Sequence, residues 1–198
     1  MRFCFLGDIY NSYIGKRTGG AELQQALIVR NLEKAGHEIH IIDLKAKEQI
    51  SLSDNIHILP LGDKKSFLIK FFFILKFSIS INADIYYGRV RNSLHLILLI
   101  VSKFKKSRYI YHVAHDLDTL GYKERKKYYY RKNNFFYNIK KFFNSEIIFP
   151  FILRWSSLIF VQHEKQRYYL SLKKIKHSVV IYNLFQKPEI NSNKSYNN

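Results

Sequence analysis

The chain has 198 residues, of which 47% are hydrophobic, so it is long and apolar enough for one domain with a substantial core, and a disordered chain is excluded. Its single cysteine, Cys4, excludes a disulfide framework and a cysteine-based zinc site. The net charge of +18 fits either a polyanionic partner or the lysine-rich composition of an AT-rich gene. The basic excess is concentrated between Lys103 and Lys141, and codon bias alone does not explain that concentration.

The first third of the sequence predicts a strand–helix–strand unit. The short apolar run Arg2–Gly7 is typical of a buried strand, and residues 15–20, which contain glycines, are typical of a loop. Leucine and alanine then recur at helical spacing over residues 21–35, and a second strand is predicted at Glu38–Asp43. Parallel strands joined by a helix in this way form a right-handed βαβ unit.

The same alternation continues along the rest of the chain. It predicts an α/β fold, a Rossmann-like parallel sheet with helices on both faces. We expect one domain over residues 1–185 and a polar, disordered tail over residues 186–198. Ligands of such sheets bind at the carboxyl ends of the strands. The further predicted strands are residues 56–59, 84–88, 108–113, 158–162 and 179–182, and the further predicted helices are residues 66–81, 92–102, 123–143 and 164–172.

No segment predicts a leader or a membrane span. The apolar start is too short for a signal peptide, and the apolar stretch at residues 67–81 is interrupted by Lys70 and Lys76. It is also shorter than the roughly 20 residues that a span needs, so we expect its apolar side to pack in the core. These features favour a cytoplasmic protein, with peripheral contact to the inner face of the cell membrane as an additional hypothesis.

The loop at residues 15–20 is the first candidate binding feature, because Gly19 and Gly20 stand directly before a predicted helix. Backbone N–H groups at a helix N-terminus favour an anion, and glycines let a ligand approach closely. The loop lacks the spacing of a Walker A motif and of a Gly-x-Gly-x-x-Gly dinucleotide motif. The sequence therefore leaves two interpretations of this loop open: it binds a ligand, or it is a flexible turn without a function.

The second candidate is the pair His115 and Asp116, which follows the strand predicted at residues 108–113. A histidine and an aspartate at the carboxyl end of a strand can hold a sugar hydroxyl or stabilise developing charge. A metal site that also uses His112 is disfavoured, because side chains alternate along a strand and His112 and His115 then lie on opposite faces. The alternative is a surface histidine beside a turn aspartate.

The third candidate is the segment of residues 122–143, in which aromatic and basic side chains alternate at helical spacing. A basic helix with an aromatic face is typical of a helix that lies in a membrane interface. An aromatic face that packs in the core is an equal alternative. Binding of single-stranded nucleic acid is disfavoured, because no nucleic-acid motif accompanies the segment. The candidate membrane contacts are Lys126, Lys127, Arg131, Phe135, Phe136, Lys140 and Lys141.

Taken together, several segments resemble the N-terminal domain of the family 4 glycosyltransferases, which have the GT-B fold. The resemblance rests first on Gly19-Gly20-Ala21-Glu22 before a helix and on the sequence Ala-Gly-His-Glu-Ile-His-Ile-Ile at residues 35–42. The sequence Asp-Ile-Tyr-Tyr-Gly at residues 84–88 resembles the family's Pro-Asp-Ile-Val-His strand, and His115-Asp116 resembles its His-Asp pair. Residues 158–162 and 178–183 resemble the final strands of that domain, so the resemblance covers residues 2–185.

The resemblance implies the acceptor-binding half of a retaining, nucleotide-sugar-dependent glycosyltransferase in cell-surface polysaccharide or glycolipid synthesis. It implies that Gly19 and Gly20 approach phosphates or acceptor and that His115 and Asp116 lie at the transferred sugar as catalytic residues. Arg89, just past a predicted strand, is a candidate acceptor contact. No metal and no cofactor are expected.

The implied partners are a nucleotide-sugar donor, a lipid- or glycan-linked acceptor and a separate C-terminal domain. In the family, that second domain carries a Glu-x7-Glu motif and most of the donor site, so this chain alone is expected to be inactive. The alternative is a non-catalytic membrane-surface or scaffold module of the same fold, which pairs with a separate C-terminal half.

Overall fold

The structure, a computed structural model, describes residues 1–16, 19–48, 50–61, 66–120, 139 and 142–183. Its centre is one eight-stranded sheet with the strand order β3-β4-β2-β1-β5-β6-β7-β8. Every described strand pair is parallel except the edge pair β3–β4. The strands are β1 (Arg2–Gly7), β2 (Glu38–Asp43), β3 (Ile50–Ser53), β4 (Ile56–Pro60), β5 (Ile85–Arg89), β6 (Arg108–His112), β7 (Leu158–Val161) and β8 (Ser178–Val180).

The helices connect these strands and cover the sheet. In the described part of the chain, none of them combines the length and the apolar content that crossing a membrane requires. They are α1 (Tyr10–Tyr13), α2 (Gly20–Lys34), α3 (Phe67–Ile81), α4 (His95–Phe104), α5 (Asp116–Thr119), α6 (Phe149–Trp155) and α7 (Glu164–Leu172), and a π-helical turn (Asn144–Ile148) leads into α6.

The core consists of two apolar layers, one on each face of the sheet. The alternation along β1 illustrates this division, because Cys4 and Leu6 belong to one layer while Phe3 and Phe5 belong to the other. Helices α1 and α2 pack on the second layer, and α3, α4, α6 and α7 pack on the first. The predicted Rossmann-like α/β sheet with helices on both faces is confirmed.

Three short elements were not predicted from the sequence. Strand β3 adds an antiparallel edge to a sheet that was predicted to be parallel throughout, and its pairing with β4 shifts register between Ser51 and Ser53. Helices α1 and α5 have four residues each, which is too short for a periodic pattern to be visible. These elements matter because α1 and α5 both follow the carboxyl end of a parallel strand.

The helix predicted at residues 123–143 does not end at residue 143. Residues 142–143 are helical and continue through the π turn into α6, although Pro150 lies in that stretch. The π turn bonds Phe149 N–H to the carbonyl of Asn144, five residues earlier, and Pro150 then falls in the first turn of α6. The π turn directly before Pro150 already departs from the regular i to i−4 hydrogen-bond pattern, which lets the helix accommodate the missing N–H of the proline.

Gly88 in the central strand β5 has no room for a side chain. A Cβ there would collide with the buried hydroxyl of Tyr109 and would lie 2.5 Å from His95 Nδ1. We expect Gly88→Ala to lower the free energy of unfolding by about 3 kcal/mol. Gly20→Ala is the matched control, because nothing lies within 4 Å of a Cβ at that first position of α2. Urea unfolding followed by circular dichroism compares the two, and equal losses would contradict the expectation.

Candidate functional site

The candidate site lies where the strand order reverses direction. Strand β1 stands between β2 and β5, so consecutive connections move outward from this point on both sides of the sheet. The crevice at the carboxyl ends of such strands is the usual ligand site of an open α/β sheet. A small cavity of about 110 Å³ occupies this position, and its lining includes Gly7 at the end of β1 and residues 89–92 at and after the end of β5. We call it the switch-point cavity.

Arg91, Asp8 and Glu22 also line the switch-point cavity, and Arg89 is its fully buried charged residue. It is the last residue of β5 rather than a loop residue, and only 2% of it is exposed. Its Nη1 lies 2.9 Å from His112 Nδ1, and its Nη2 donates to Asn183 Oδ1 at 3.2 Å. Among the described residues, its buried Nε has no hydrogen-bond partner and no carboxylate lies at ion-pair distance from the guanidinium. A buried charge without a counter-charge favours an anionic ligand.

Gln25 of α2 brings a second buried polar group to the same cavity. Its side chain is 1% exposed, and its Nε2 has no partner among the described residues. Gly7 makes its position possible, because a Cβ on Gly7 would lie 3.0 Å from Gln25 Oε1. A ligand oxygen in the cavity could satisfy both Gln25 and Arg89, since each leaves a buried N–H without an acceptor.

Two buried histidines hold the backbone and the guanidinium around the cavity. Burial, together with the nearby charge of Arg89, lowers the pKa of His112 to about 3. His112 is therefore neutral, and its Nδ1 can accept from Arg89 and lies 2.6 Å from the Tyr87 hydroxyl. Burial lowers the pKa of His95 to about 4, and its Nε2 lies 3.1 Å and 3.0 Å from the carbonyl oxygens of Arg89 and Val90.

The bonds from His95 hold a strained backbone segment. Val90 has a φ of 67°, which is the left-handed region that a β-branched residue rarely adopts. Such a conformation costs on the order of 1–2 kcal/mol and persists only where the surroundings impose it. Strain of this kind is concentrated at functional sites, and Val90 lines the switch-point cavity.

We expect the free energy of unfolding to decrease as the pH falls from 6.5 towards 4. In the unfolded chain, His95 and His112 titrate near the ordinary value of 6.5, while in the fold they titrate near 4 and 3. The unfolded state therefore binds more protons over this range, which costs about 1.4 kcal/mol per histidine and pH unit. Urea unfolding at pH 7, 6 and 5 measures the slope. His112→Gln should reduce the slope by one histidine's share, and an unchanged slope would contradict the assignment.

The structure places His115 at the N-terminus of α5, where it is exposed to solvent. Its Nδ1 accepts from Leu117 N–H at 3.1 Å, so the neutral ring carries its proton on Nε2. That proton is available to a ligand, and no hydrogen bond ties Nε2 to another described residue. His115 is thus arranged as a hydrogen-bond donor towards the carboxyl edge of the sheet.

Asp116 is anchored by two side chains that the sequence analysis missed. Its Oδ1 accepts from His163 Nε2 and from Gln166 Nε2, both at 2.9 Å. Burial opposes ionisation, but these hydrogen bonds and the neighbouring histidines prevail and hold the pKa of Asp116 below its ordinary value. The carboxylate is therefore charged and joins α5 to α7. His163 could have been predicted as a site residue because it follows β7 directly and therefore lies at the same edge of the sheet as His115.

The glycine loop contributes a helix start to this edge. Gly19 is the residue before α2 and has an extended backbone, and Gly20 is the first residue of the helix. No side chain caps these N–H groups, and a Cβ on Gly19 would lie 2.5 Å from Glu22 Oε2. Residues 17–18 of the loop lie outside the described part of the chain. The helix start stands near the switch-point cavity, because Glu22 and Gln25 of α2 line it.

Asp43, the last residue of β2, has a structural role that the sequence analysis also missed. Its carboxylate accepts from the backbone N–H groups of Ile9 and Tyr10 at 2.8 Å and of Lys45 and Ala46 at 2.9 and 2.8 Å. Dinucleotide-binding folds use an acid near this position to hold a ribose. Here the carboxylate instead fixes two loops beside the switch-point cavity.

The other predicted sites lie elsewhere or cannot be placed. The seven candidate membrane contacts at residues 126–141 fall outside the described residues. The structure also contains a cluster in which Glu38, His40 and His57 offer ligand atoms within 4.8 Å of one another. It lies on β2 and β4 away from their carboxyl ends, and Glu38 already accepts from Arg2 Nε at 2.9 Å. This cluster is therefore not part of the candidate site.

Comparison with solved structures places the fold among nucleotide-sugar enzymes. The UDP-GlcNAc 2-epimerase of Methanocaldococcus jannaschii matches 92% of this chain with a TM-score of 0.60 and 18% identity. Anabaena HepE in complex with UDP matches 94% with a TM-score of 0.53 and 13% identity. The Neisseria meningitidis UDP-GlcNAc 2-epimerase bound to UDP-GlcNAc matches 91% with a TM-score of 0.53 and 11% identity.

These matches cover 46%, 45% and 45% of the respective structures, so the chain spans less than half the length of each. No family model and no curated protein matches the sequence. At these identities the comparison establishes the fold alone. The chain therefore has the Rossmann-like α/β fold found in GT-B-type nucleotide-sugar enzymes.

Proposed function

We propose that the chain is the acceptor-binding half of a retaining, nucleotide-sugar-dependent glycosyltransferase. The fold it shares with nucleotide-sugar enzymes supports a role with nucleotide sugars. The observation that carries the proposal is the buried guanidinium of Arg89 beside Gln25 at the strand-order reversal, where two buried N–H groups lack an acceptor. In this proposal the cavity receives an anionic or oxygen-rich group of the substrate, close to the helix start at Gly19 and Gly20.

His115 and Asp116 have distinct parts in the proposed transfer. The bond between the sugar's anomeric carbon and the leaving diphosphate breaks, a bond to the acceptor oxygen forms, and the departing diphosphate takes up the acceptor's hydroxyl proton. With its Nδ1 engaged by Leu117, His115 would donate from Nε2 to a hydroxyl of the sugar rather than accept that proton. Asp116 would keep His115 and the α5 turn in place as a charged anchor.

We further propose that a second Rossmann-like domain, on the same or on a separate polypeptide, completes the donor site. The length comparison supports this, because each similar structure is more than twice as long as the matched region. The chain alone should then bind UDP-GlcNAc only weakly, with a Kd in the millimolar range by calorimetry. A micromolar Kd for the chain alone would contradict the need for a second domain.

His115→Ala tests the site in the completed enzyme. We expect transfer from the nucleotide sugar to fall at least a hundredfold, because the side chain is proposed to contact the reacting sugar. His37→Ala is the control, since His37 lies before β2 at the opposite edge and packs beside Phe3. Unchanged transfer in His115→Ala would remove the site assignment. Interconversion of UDP-sugars without any acceptor would show an epimerase instead.

The basic and aromatic residues of the segment 122–143 remain proposed membrane contacts at the cytoplasmic face. Their test is co-sedimentation of the chain with vesicles that contain phosphatidylglycerol, compared with a variant in which Lys126, Lys127 and Arg131 are replaced by glutamine. We expect the variant to bind about a hundredfold more weakly, since three basic residues are lost and each one near an anionic surface contributes about 1 kcal/mol. If the variant and the unaltered chain bound the vesicles equally, the segment would not be a membrane contact. The alternative of a membrane-surface module would then lose its support.

A further inference from the structure

A large apolar groove lies on the face of the sheet that α3 and α4 cover. It has a volume of about 790 Å³ and runs between α3, α4 and the helical segment that leads into the π turn. Its lining is almost entirely apolar and includes Phe71, Leu75, Ile97, Ile100 and Phe143. This volume lies in the range of small-molecule sites. Since its walls offer few hydrogen-bonding groups, the groove fits a hydrocarbon ligand.

The groove and the switch-point cavity are lined by consecutive residues. Arg89 to Asn92 line the polar cavity, and the next two residues, Ser93 and Leu94, line the apolar groove. A single ligand with a polar end and an apolar tail could therefore extend from one to the other. Because these residues are consecutive in the chain, the Ser93 end of the groove lies next to the proposed site.

The surroundings of the groove are apolar and basic. Phe67, Leu68 and Phe72 of α3 are more than half exposed, and Phe104 at the end of α4 is 84% exposed. The sequences of α3 and α4 contain no acidic residue, and their exposed lysines, together with those of the turn after α4, lie away from the Ser93 end of the groove: Lys76, Lys103, Lys105 and Lys106. At the Ser93 end the nearest cations among the described residues are Arg89 and Arg91 of the switch-point cavity, so an anionic headgroup there would be bound by these arginines.

We infer that this groove holds the hydrocarbon chain of a lipid-linked acceptor that carries a phosphate headgroup. The inference rests on the proposed function, because it names the class of acceptor for the same site. The chain lies in the groove between α3 and α4. The phosphate lies at the Ser93 end, towards Arg89 and the switch-point cavity.

The test measures binding of octyl, decyl and dodecyl phosphate to the full chain by calorimetry, each below its micelle concentration, with inorganic phosphate as the reference. We expect one site per chain and an affinity that rises about fifteenfold for each two added methylenes, because each buried methylene contributes about fourfold. An affinity independent of chain length would overturn the inference. That result would instead fit a groove filled by another polypeptide segment.

Two variants locate the binding. Ile100→Gln places a polar group in the groove at a position that is 40% exposed, so the fold tolerates it. Leu23→Gln is the matched control, because Leu23 is 44% exposed on α2, on the other face of the sheet. We expect Ile100→Gln to weaken dodecyl phosphate binding at least tenfold and to leave inorganic phosphate binding unchanged, and Leu23→Gln to alter neither. Equal losses in both variants would overturn the inference.

A third variant, Phe104→Ser, keeps the test independent of the behaviour of Ile100, since Phe104 lies on the rim and is largely exposed. This variant should also weaken the binding of dodecyl phosphate more than the binding of octyl phosphate. None of these measurements uses a sugar donor. Chain-length-dependent binding by the chain, together with no sugar transfer by the enzyme completed with its second domain, would therefore reject the proposed function and keep the groove. Transfer by the completed enzyme to a soluble glycan, without chain-length-dependent binding, would reject the groove and keep the proposed function.

Discussion

Replacement of Arg89 by methionine should remove anion binding at the switch-point cavity and leave the fold intact. Pyrophosphate is the probe, since it presents the phosphate oxygens proposed for the acceptor's headgroup and lets the chain be tested without a second domain. We expect its Kd to increase about thirtyfold, equivalent to the loss of about 2 kcal/mol of charge-assisted hydrogen bonding. Stability should change by less than about 1 kcal/mol, because an apolar side chain of similar volume replaces a buried charge that no acid offsets.

Arg108→Met is the matched control for Arg89→Met. Arg108 is the first residue of the neighbouring strand β6, so it lies at the opposite edge of the sheet, where it is exposed. It contributes the same charge to the molecule without facing the cavity. If both variants lost pyrophosphate affinity equally, the binding would reflect the overall charge of +18, and the cavity would have no role in it.

The second large effect is expected from Asp43→Ala, which should lower the free energy of unfolding by about 4 kcal/mol. Four backbone N–H groups lose their acceptor, and the groups of Ile9 and Ala46 are buried. The loops after β1 and β2 lose their shared anchor as well. Urea unfolding measures the loss, and reduced pyrophosphate affinity of the folded fraction would follow from a displaced switch-point cavity.

The control for Asp43→Ala is the same substitution at Asp84. The Asp84 carboxylate accepts a single hydrogen bond among the described residues, from Arg2 N at 2.8 Å, in an exposed setting. Its replacement should cost only about 0.5 kcal/mol, because water can substitute for one exposed acceptor. If both substitutions lowered the free energy of unfolding by similar amounts, the four hydrogen bonds to Asp43 would stabilise the fold no more than one exposed hydrogen bond does.

The sequence predicted the sheet well because the buried strands carry their own local signal. Most of the parallel strands are apolar runs bounded by loops, and the alternation of strands with helices leaves few topologies open. The exceptions have local physical causes. Strand β3 has only four residues, so its alternation of apolar and polar side chains is too short to stand out, and the proline in α6 disguised a helix that a π turn makes continuous.

The candidate site was less predictable, because its important contacts join residues that are far apart in the chain. His115 and Asp116 could be identified by their place after a strand, but the partners of Asp116 come from α7. Arg89 could be named as a candidate but not as a buried one, since its burial depends on His112 and Asn183. Local patterns give no information about such pairs. The groove was hidden for the same reason, since it needs α3 and α4 side by side.

The contact between Arg89 and Asn183 has a consequence for how the molecule is made. These residues are 94 positions apart, yet strands β5, β6, β7 and β8 lie next to one another in the order in which a ribosome produces them. The sheet can thus grow outward during synthesis, each new strand pairing with the one before it. The polar network around Arg89 closes only when residue 183 arrives. A nascent chain therefore acquires most of its core before it acquires a finished ligand site.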